Sequence, residues 1–267
     1  MRRDVYTHGH QRSVVGQHAR RTAETCAQFL LPRLQASMRV LDVGCGPGTI
    51  TAGLANRVPD GKVIGVDVSS EVLAGARDHC AAAALSNVTF EEASVYGLRF
   101  DEATFDVAYA HQVLQHLADP VAALAEMRRV LRPGGLVAVR DGDYYTMCCS
   151  PESEAIDRWR DVYRKVSRHN GAEPDAGRYL LKWLGDAGFG SIEMTASCGV
   201  LADEESRRNW GESWAERCLS SSFGQQAVEY GYATASEMES IAEGWRSWSR
   251  EPEGYFHFIH GEGIAVK

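Results

Sequence analysis

The sequence predicts a parallel, doubly wound α/β sheet followed by a helical cap, and three observations carry that prediction. Short apolar segments alternate with amphipathic ones between residues 38 and 141. The first of them, Val40-Leu41-Asp42-Val43, runs directly into a turn with glycine at alternate positions, Gly44, Gly46 and Gly48. A second segment, Lys62 to Val68, places Asp67 about 20 residues past that turn, the spacing at which an acid at a strand tip reaches ribose hydroxyls.

Each element follows from local pattern. Ala19, Ala23, Cys26, Phe29, Leu30 and Leu34 recur at a helical period and predict a helix over 18–34. Strands are expected at 38–43, 62–67, 87–91, 105–110 and 136–139, with helices at 48–57, 70–84 and 120–131 between them. Asp119-Pro120 opens the last of these helices with a cap and a first-turn proline, and Arg132-Pro133-Gly134-Gly135 ends it. Beyond Asp141 the pattern turns mostly helical, at 151–169 and 174–187. Ser191 to Val200 and Gly254 to Val266 read as the last two strands, with an insertion rich in Trp, Ser and Glu between them. No repeat or linker divides the 267 residues, so one domain with a cap is expected. Its parts are an N-terminal segment and helix (1–35), a core (38–141), helical elements with the sixth strand and cap insertion (142–253), and the last strand (254–267).

The glycine turn points to a ligand. Missing Cβ atoms let it approach the main chain, and the carboxylate of Asp42 would repel a phosphate but hold an ammonium group. These residues, with Asp67, describe a nucleoside-binding βαβ unit. The run Asp42-x-Gly44-x-Gly46-x-Gly48 resembles the first motif of the class I S-adenosylmethionine-dependent methyltransferases. A dinucleotide fingerprint would instead need glycine where Thr49 stands. The resemblance spans roughly residues 38–141 and includes Asn87 to Asp106 and the Arg129 to Gly135 turn. Within the family the motifs look most like the quinone-biosynthesis and natural-product tailoring branch, which acts on small molecules.

The resemblance implies a Rossmann-like sheet, mostly parallel with an antiparallel last strand, and the insertion as a lid over the site. S-adenosylmethionine is the implied cofactor and S-adenosylhomocysteine its product. Asp42, Gly44, Cys45, Gly46, Asp67 and Val68 are its implied contacts, with Ser94 and Val95 at the adenine. Many members carry an acid where Ser94 stands, so the adenine contact lacks charge assistance here. His111, at the end of the fourth strand, is expected near the methionine portion. The opening segment, in the manner of related small-molecule enzymes, would fold over the site, with Tyr6 on the methionine carboxylate and His8 or His10 facing substrate.

Methyl transfer needs positioned reactants, and a base only when the acceptor must lose a proton. His116 after the fourth strand and Asp141 at the end of the fifth are the candidate catalytic pair, the acid fixing the imidazole tautomer. Asp143, Tyr144 and Tyr145 are candidate substrate contacts, and Trp210, Trp214, Trp245 and Trp248 candidate apolar walls. These features favour a small or medium-sized organic acceptor.

Composition narrows the classes. Net charge is −8 and the basic residues are dispersed, which weighs against a nucleic-acid substrate. No apolar run is long enough to span a membrane, and no secretory signal opens the chain, so a cytoplasmic protein is expected. Seven scattered cysteines lack metal-ligand spacing and read as reduced thiols, and no metal is called for. A homo-oligomer stays open. Two alternatives compete: a nonenzymatic module that binds S-adenosylmethionine, and, disfavoured by the glycine spacing, a nicotinamide oxidoreductase.

Overall fold

The computed structural model describes residues 21–267. A seven-stranded sheet forms the frame, in the order β3-β2-β1-β4-β5-β7-β6. The strands are β1 (Arg39–Val43), β2 (Lys62–Asp67), β3 (Val88–Glu92), β4 (Phe105–His111), β5 (Leu131–Ser150), β6 (Gly190–Leu201) and β7 (Tyr255–Val266). β1 to β5 pair in parallel. β7 enters between β5 and β6 and runs antiparallel to both, so it alone is reversed. The mostly parallel sheet with an antiparallel last strand is the one expected.

Helices α1 (Ala23–Cys26), α2 (Thr49–Arg57), α3 (Ser70–Ala82), α4 (Pro120–Val130), α5 (Glu154–His169) and α6 (Leu180–Asp186) accompany it, and α7 (Glu204–Ser220), α8 (Ser222–Glu229) and α9 (Ala235–Ser249) make up the insertion. α4 starts as read: Asp119 Oδ1 accepts from Ala122 N at 2.9 Å and Pro120 opens the first turn. One apolar cluster lies against β1, β4 and β5 under α4 and α6, and a second packs α1 and α2 on the other face. β4, covered on both sides, is therefore apolar almost throughout.

Three expectations are corrected. The helix over 18–34 is, within the described residues, one turn at α1 and a 3-10 turn at Leu31–Arg33, where Pro32 sits. Residues 174–187 split into a 3-10 turn, Ala176–Arg178, and α6. The fifth strand, expected only at 136–139, extends to Ser150 because β7 pairs with it that far, from Leu136↔Val266 to Ser150↔Tyr255. The Arg132-Pro133-Gly134-Gly135 turn survives as residues looped out of the ladder, which jumps from Phe105↔Leu131 to Val107↔Leu136.

The insertion makes a core of its own with α5 and the far ends of β5 and β7. Ile156, Trp159, Val162, Tyr163 and Val166 form the buried stripe of α5. The rings of Trp214 and Trp245 meet Trp159 edge-on, at 4.4 and 4.9 Å between centroids. Trp214, Trp245 and Trp248 are buried, and Trp210 packs on Phe258 at their edge. These tryptophans pack on one another and hold the cap together. Helical spacing put them on inward faces, and burying that much ring area is what stabilises three helices with little else to pack on.

Candidate functional site

The glycine turn lies at the carboxyl ends of β1 and β2, where an α/β sheet presents its crevice. Gly44, Gly46 and Gly48 all have positive φ, at 66°, 54° and 78°. They face different surroundings. A Cβ at Gly44 would run into Val113 Cγ2, whereas one at Gly46 would meet nothing within 4 Å. The open cradle is at Gly46.

Asp67 closes one side of that cradle. Its Oδ2 accepts from Gly46 N at 3.1 Å and its Oδ1 from Ser69 N at 3.0 Å, so the half-buried carboxylate is held in place by main chain alone. Cys45 N–H donates to Val66 O at 3.0 Å and ties the turn to β2. Its thiol turns inward against Leu73, Ala76 and Phe90, and burial pushes its pKa up, so only the main chain of Cys45 borders the cradle.

Asp42, expected to face the ligand, lies under the turn within the field of Asp67. It is buried and accepts from Thr51 Oγ1 at 2.6 Å, tying β1 to α2. Burial raises its pKa from 3.8 to about 7 against the opposing Thr51 bond, with the nearby Asp67 charge adding to the rise. Val68 is exposed beyond Asp67. Ser94 is exposed, its Oγ accepting from Tyr96 N at 3.3 Å, while Val95 belongs to the central core. Tyr6, His8 and His10 lie outside the described residues.

Across the crevice, β4 ends at His111, which is buried with its ring 6.2 Å from that of His260 on β7. Gln112 follows with a φ of 53°, and Arg21 Nη2 donates to its Oε1. Its Nε2 lies 2.8 Å from His260 Nε2, and Arg140 Nη2 donates to His260 Nδ1 at 3.0 Å. Arg140 also pairs with buried Glu262 at 3.1 Å. Burial, Arg140 and Arg21 hold His260 well below the usual histidine range, so its ring is neutral.

The expected His116–Asp141 pair is not assembled. Asp141 Oδ1 accepts from Gln115 N at 3.1 Å, capping the 3-10 turn Leu114–His116 instead of meeting the imidazole. Burial raises its pKa from 3.8 to about 8. His116 Nε2 lies 3.1 Å from Gln115 Nε2, and burial with the Arg21 charge lowers its pKa to about 3.

Asp143, Tyr144 and Tyr145 have different surroundings. Arg178 grips Asp143 with two bonds of 2.8 Å. Tyr144 points into the cap core, stacked on Tyr163 at 4.4 Å. Tyr145 is exposed between Arg164 and Arg178, whose guanidinium carbons lie 5.0 and 4.8 Å from its ring. Adjacent residues face opposite ways, which sets Tyr144 apart from Asp143 and Tyr145, both of which meet Arg178.

A family model described as a methyltransferase domain matches residues 34–188. An uncharacterized methyltransferase of Schizosaccharomyces pombe is 36% identical over 98% of this chain and 96% of its own. The chain belongs to the class I S-adenosylmethionine-dependent methyltransferases. Trans-aconitate 2-methyltransferase of Azoarcus sp. is 40% identical over 43% of this chain and 44% of its own. Among solved structures, the YcgJ protein of Bacillus subtilis superposes with a TM-score of 0.58 at 18% identity, covering 97% of this chain and 99% of its own. A Haemonchus contortus phosphoethanolamine N-methyltransferase, in complex with S-adenosylhomocysteine, gives 0.55 at 19% identity over 90% of this chain and 52% of its own. Family membership decides against the nicotinamide reading.

The residues at the crevice suit an adenosyl group: the cradle at Gly46 has room, and an oriented carboxylate stands beside it. Sequence reasoning missed Arg21, Gln112 and His260. Only Gln112 left a local signal, as a polar residue next to the end of an apolar strand, and its positive φ marks it as a constrained position. Among the described residues no group of three or more His, Cys, Asp or Glu is placed to hold a metal, and no helix is long and apolar enough to cross a membrane.

Proposed function

We propose that this methyltransferase transfers the methyl group of S-adenosylmethionine to a small or medium-sized organic acceptor in secondary metabolism. The observation that carries the donor site is the open cradle at Gly46 flanked by Asp67. Asp67 would accept from the ribose hydroxyls, and the main chain of residues 44–46 would line the donor. His111 and Gln112 would border its methionine portion from β4. S-adenosylmethionine supplies, when bound, a methyl carbon activated by positive sulfur. The chain's own contribution is to orient acceptor and donor and to keep water out.

The small-acceptor reading draws support from the trans-aconitate 2-methyltransferase of Azoarcus sp., whose name gives a small organic acid as acceptor, and from an O-methyltransferase of Aspergillus sclerotiorum, 32% identical over 60% of this chain. The absence of a strongly basic balance agrees with it. Calorimetric titration of wild type and Asp67→Ala with S-adenosylmethionine, S-adenosylhomocysteine and NADH tests the donor site. Binding of the first two by wild type, at least about tenfold weaker in the variant, is expected from the loss of the hydrogen bonds that Asp67 would accept. Unchanged affinity in a folded Asp67→Ala protein would remove Asp67 from the site.

A further inference from the structure

β6 is the outer strand of the sheet, and the alternation of main-chain groups along β7 fixes which of its residues face outward. Ile259 N donates to Thr146 Oγ1 at 2.9 Å, and Lys267 N, just past β7, donates to Gly135 O at 2.9 Å. Odd-numbered residues of β7 thus turn their N–H and C=O groups toward β5, and even-numbered ones toward β6. Register sets the even-numbered residues against odd-numbered ones of β6, from Glu262↔Thr195 to Phe256↔Leu201. Met194, Ala196, Cys198 and Val200 therefore aim their main-chain groups at the free edge. All four are exposed, and among the described residues no backbone group outside the sheet bonds to them.

An exposed edge is a template for another strand, and proteins guard it with a short strand, a lysine, a proline or a bulge. β6 is regular from Glu193 to Leu201, about 30 Å, and its one bulge lies before Glu193. This stretch contains neither Lys nor Pro, and its one charged residue, Glu193, is paired with Arg33. The opposite edge of the sheet is built differently: β3 is five residues long and ends in Glu91 and Glu92, both exposed.

We infer that β6 pairs antiparallel with β6 of a second copy of this chain about a two-fold axis at Ser197, joining the two sheets into one. That axis brings the whole regular stretch into register with itself. On one face Met194 comes opposite Val200 and Ala196 opposite Cys198, apolar against apolar. These are the residues with outward main-chain groups, so each pair exchanges two hydrogen bonds. Ile259, exposed opposite Cys198 on β7, extends the apolar face back from the seam. On the other face Ser197 meets Ser197 and Thr195 meets Gly199, which keeps small side chains at the closest approach. The Ser197 hydroxyl stays turned to Glu262 of its own copy, to which it donates at 2.6 Å. Glu193 meets Leu201, so the two carboxylates lie at opposite ends of the seam. An axis at Glu193 would oppose them, and an axis between two residues would set outward groups against inward ones. This match of charge, size and bonding residues within one strand selects a second copy over an unrelated strand. The two-fold covers both β6 edges and leaves the acidic β3 edges at the ends, so assembly stops at two.

Sedimentation velocity of the full-length protein over a dilution series should show a species of twice the 29.3 kDa chain mass. Ala196→Glu sets carboxylates into the seam from both copies and should shift that species to the chain mass, with circular dichroism unchanged because Ala196 is exposed. Val228→Glu, on the exposed surface of α8, should leave the dimer intact. Cross-linking tests the axis. Residues 196 and 198 of a bonded pair have Cα atoms about 5.5 Å apart, within disulfide reach. Ala196→Cys treated with oxidised glutathione should therefore form a reducible covalent dimer through Cys198. Wild type, whose Cys198 faces Ala196, should not, and Cys198→Ser added to Ala196→Cys should abolish the link. A monomer at every concentration, a species larger than a dimer, a dimer that Ala196→Glu leaves intact, or a dimeric Ala196→Cys protein that does not cross-link each overturns the inference. Were Ala196→Glu to unfold, the cross-linking arm would decide by itself.

Discussion

The two halves of the sheet treat their polar residues differently. On the β1–β2 side, the turn leaves an open space at Gly46, and Asp67 is held beside it by two main-chain donors with its surface still half-buried. On the β5–β7 side, the acids and aromatics that looked available are consumed: Asp141 caps a turn, Asp143 is clamped by Arg178, and Tyr144 is core. The first side is built from backbone around an open space, and the second from side chains already bonded to one another.

Four measurements would break or sharpen this contrast. The largest effect is expected in the cap. Trp159 is fully buried among Trp214, Trp245 and Tyr163, and Trp159→Ala should cost about 3–5 kcal/mol in chemical denaturation. S-adenosylmethionine affinity of the folded fraction should hold, and its loss would mean that the cap shapes the cradle.

Next comes the turn. Gly46→Arg extends a side chain into open space and should weaken S-adenosylmethionine binding by at least about 100-fold, or about 3 kcal/mol, with the fold retained. Gly44→Arg drives into Val113 and should lose stability together with binding. If Gly46→Arg bound the donor like wild type, the cradle would be misplaced.

A smaller effect concerns pH. Burial raises Asp141 from 3.8 to about 8, so the folded protein keeps a proton that the unfolded chain releases. Its contribution to stability is fully present below about pH 4 and is lost as pH rises through about 8. Asp141→Asn cannot titrate. Its stability relative to wild type should therefore rise by about 1 kcal/mol or more from pH 5 to pH 8.5, and a constant difference would show that the carboxyl ionises normally.

The smallest is at Tyr145, whose ring lies outside the core between two arginines. Tyr145→Ser should change stability by less than about 1 kcal/mol and leave donor affinity alone. A large loss of turnover with an identified acceptor would return Tyr145 to the substrate site.

Much of the fold was legible because its signals are local. Gly44-x-Gly46-x-Gly48 after an apolar strand, Asp67 at the tip of the next, and Asp119-Pro120 at a helix start each act within a few residues of themselves. What escaped depends on partners far along the chain. β5 continues past Asp141 only because β7, more than a hundred residues later, pairs with it. Pro32 and a 3-10 turn interrupt a helical period that apolar spacing alone had made continuous.

By itself, the sequence determined the parallel core, the reversed last strand through its family motifs, and the glycine turn after the first strand, since glycine conformation and strand periodicity are properties of short segments. Tertiary structure alone decided that Asp42 turns to Thr51, that the cap's tryptophans pack on each other, and that His260 arrives beside Gln112. It also decided, through a backbone N–H of β5, which way the Gln115 amide faces His116. A side chain's chemistry depends on which donors and acceptors surround it, and those are assembled by pairings across the whole chain.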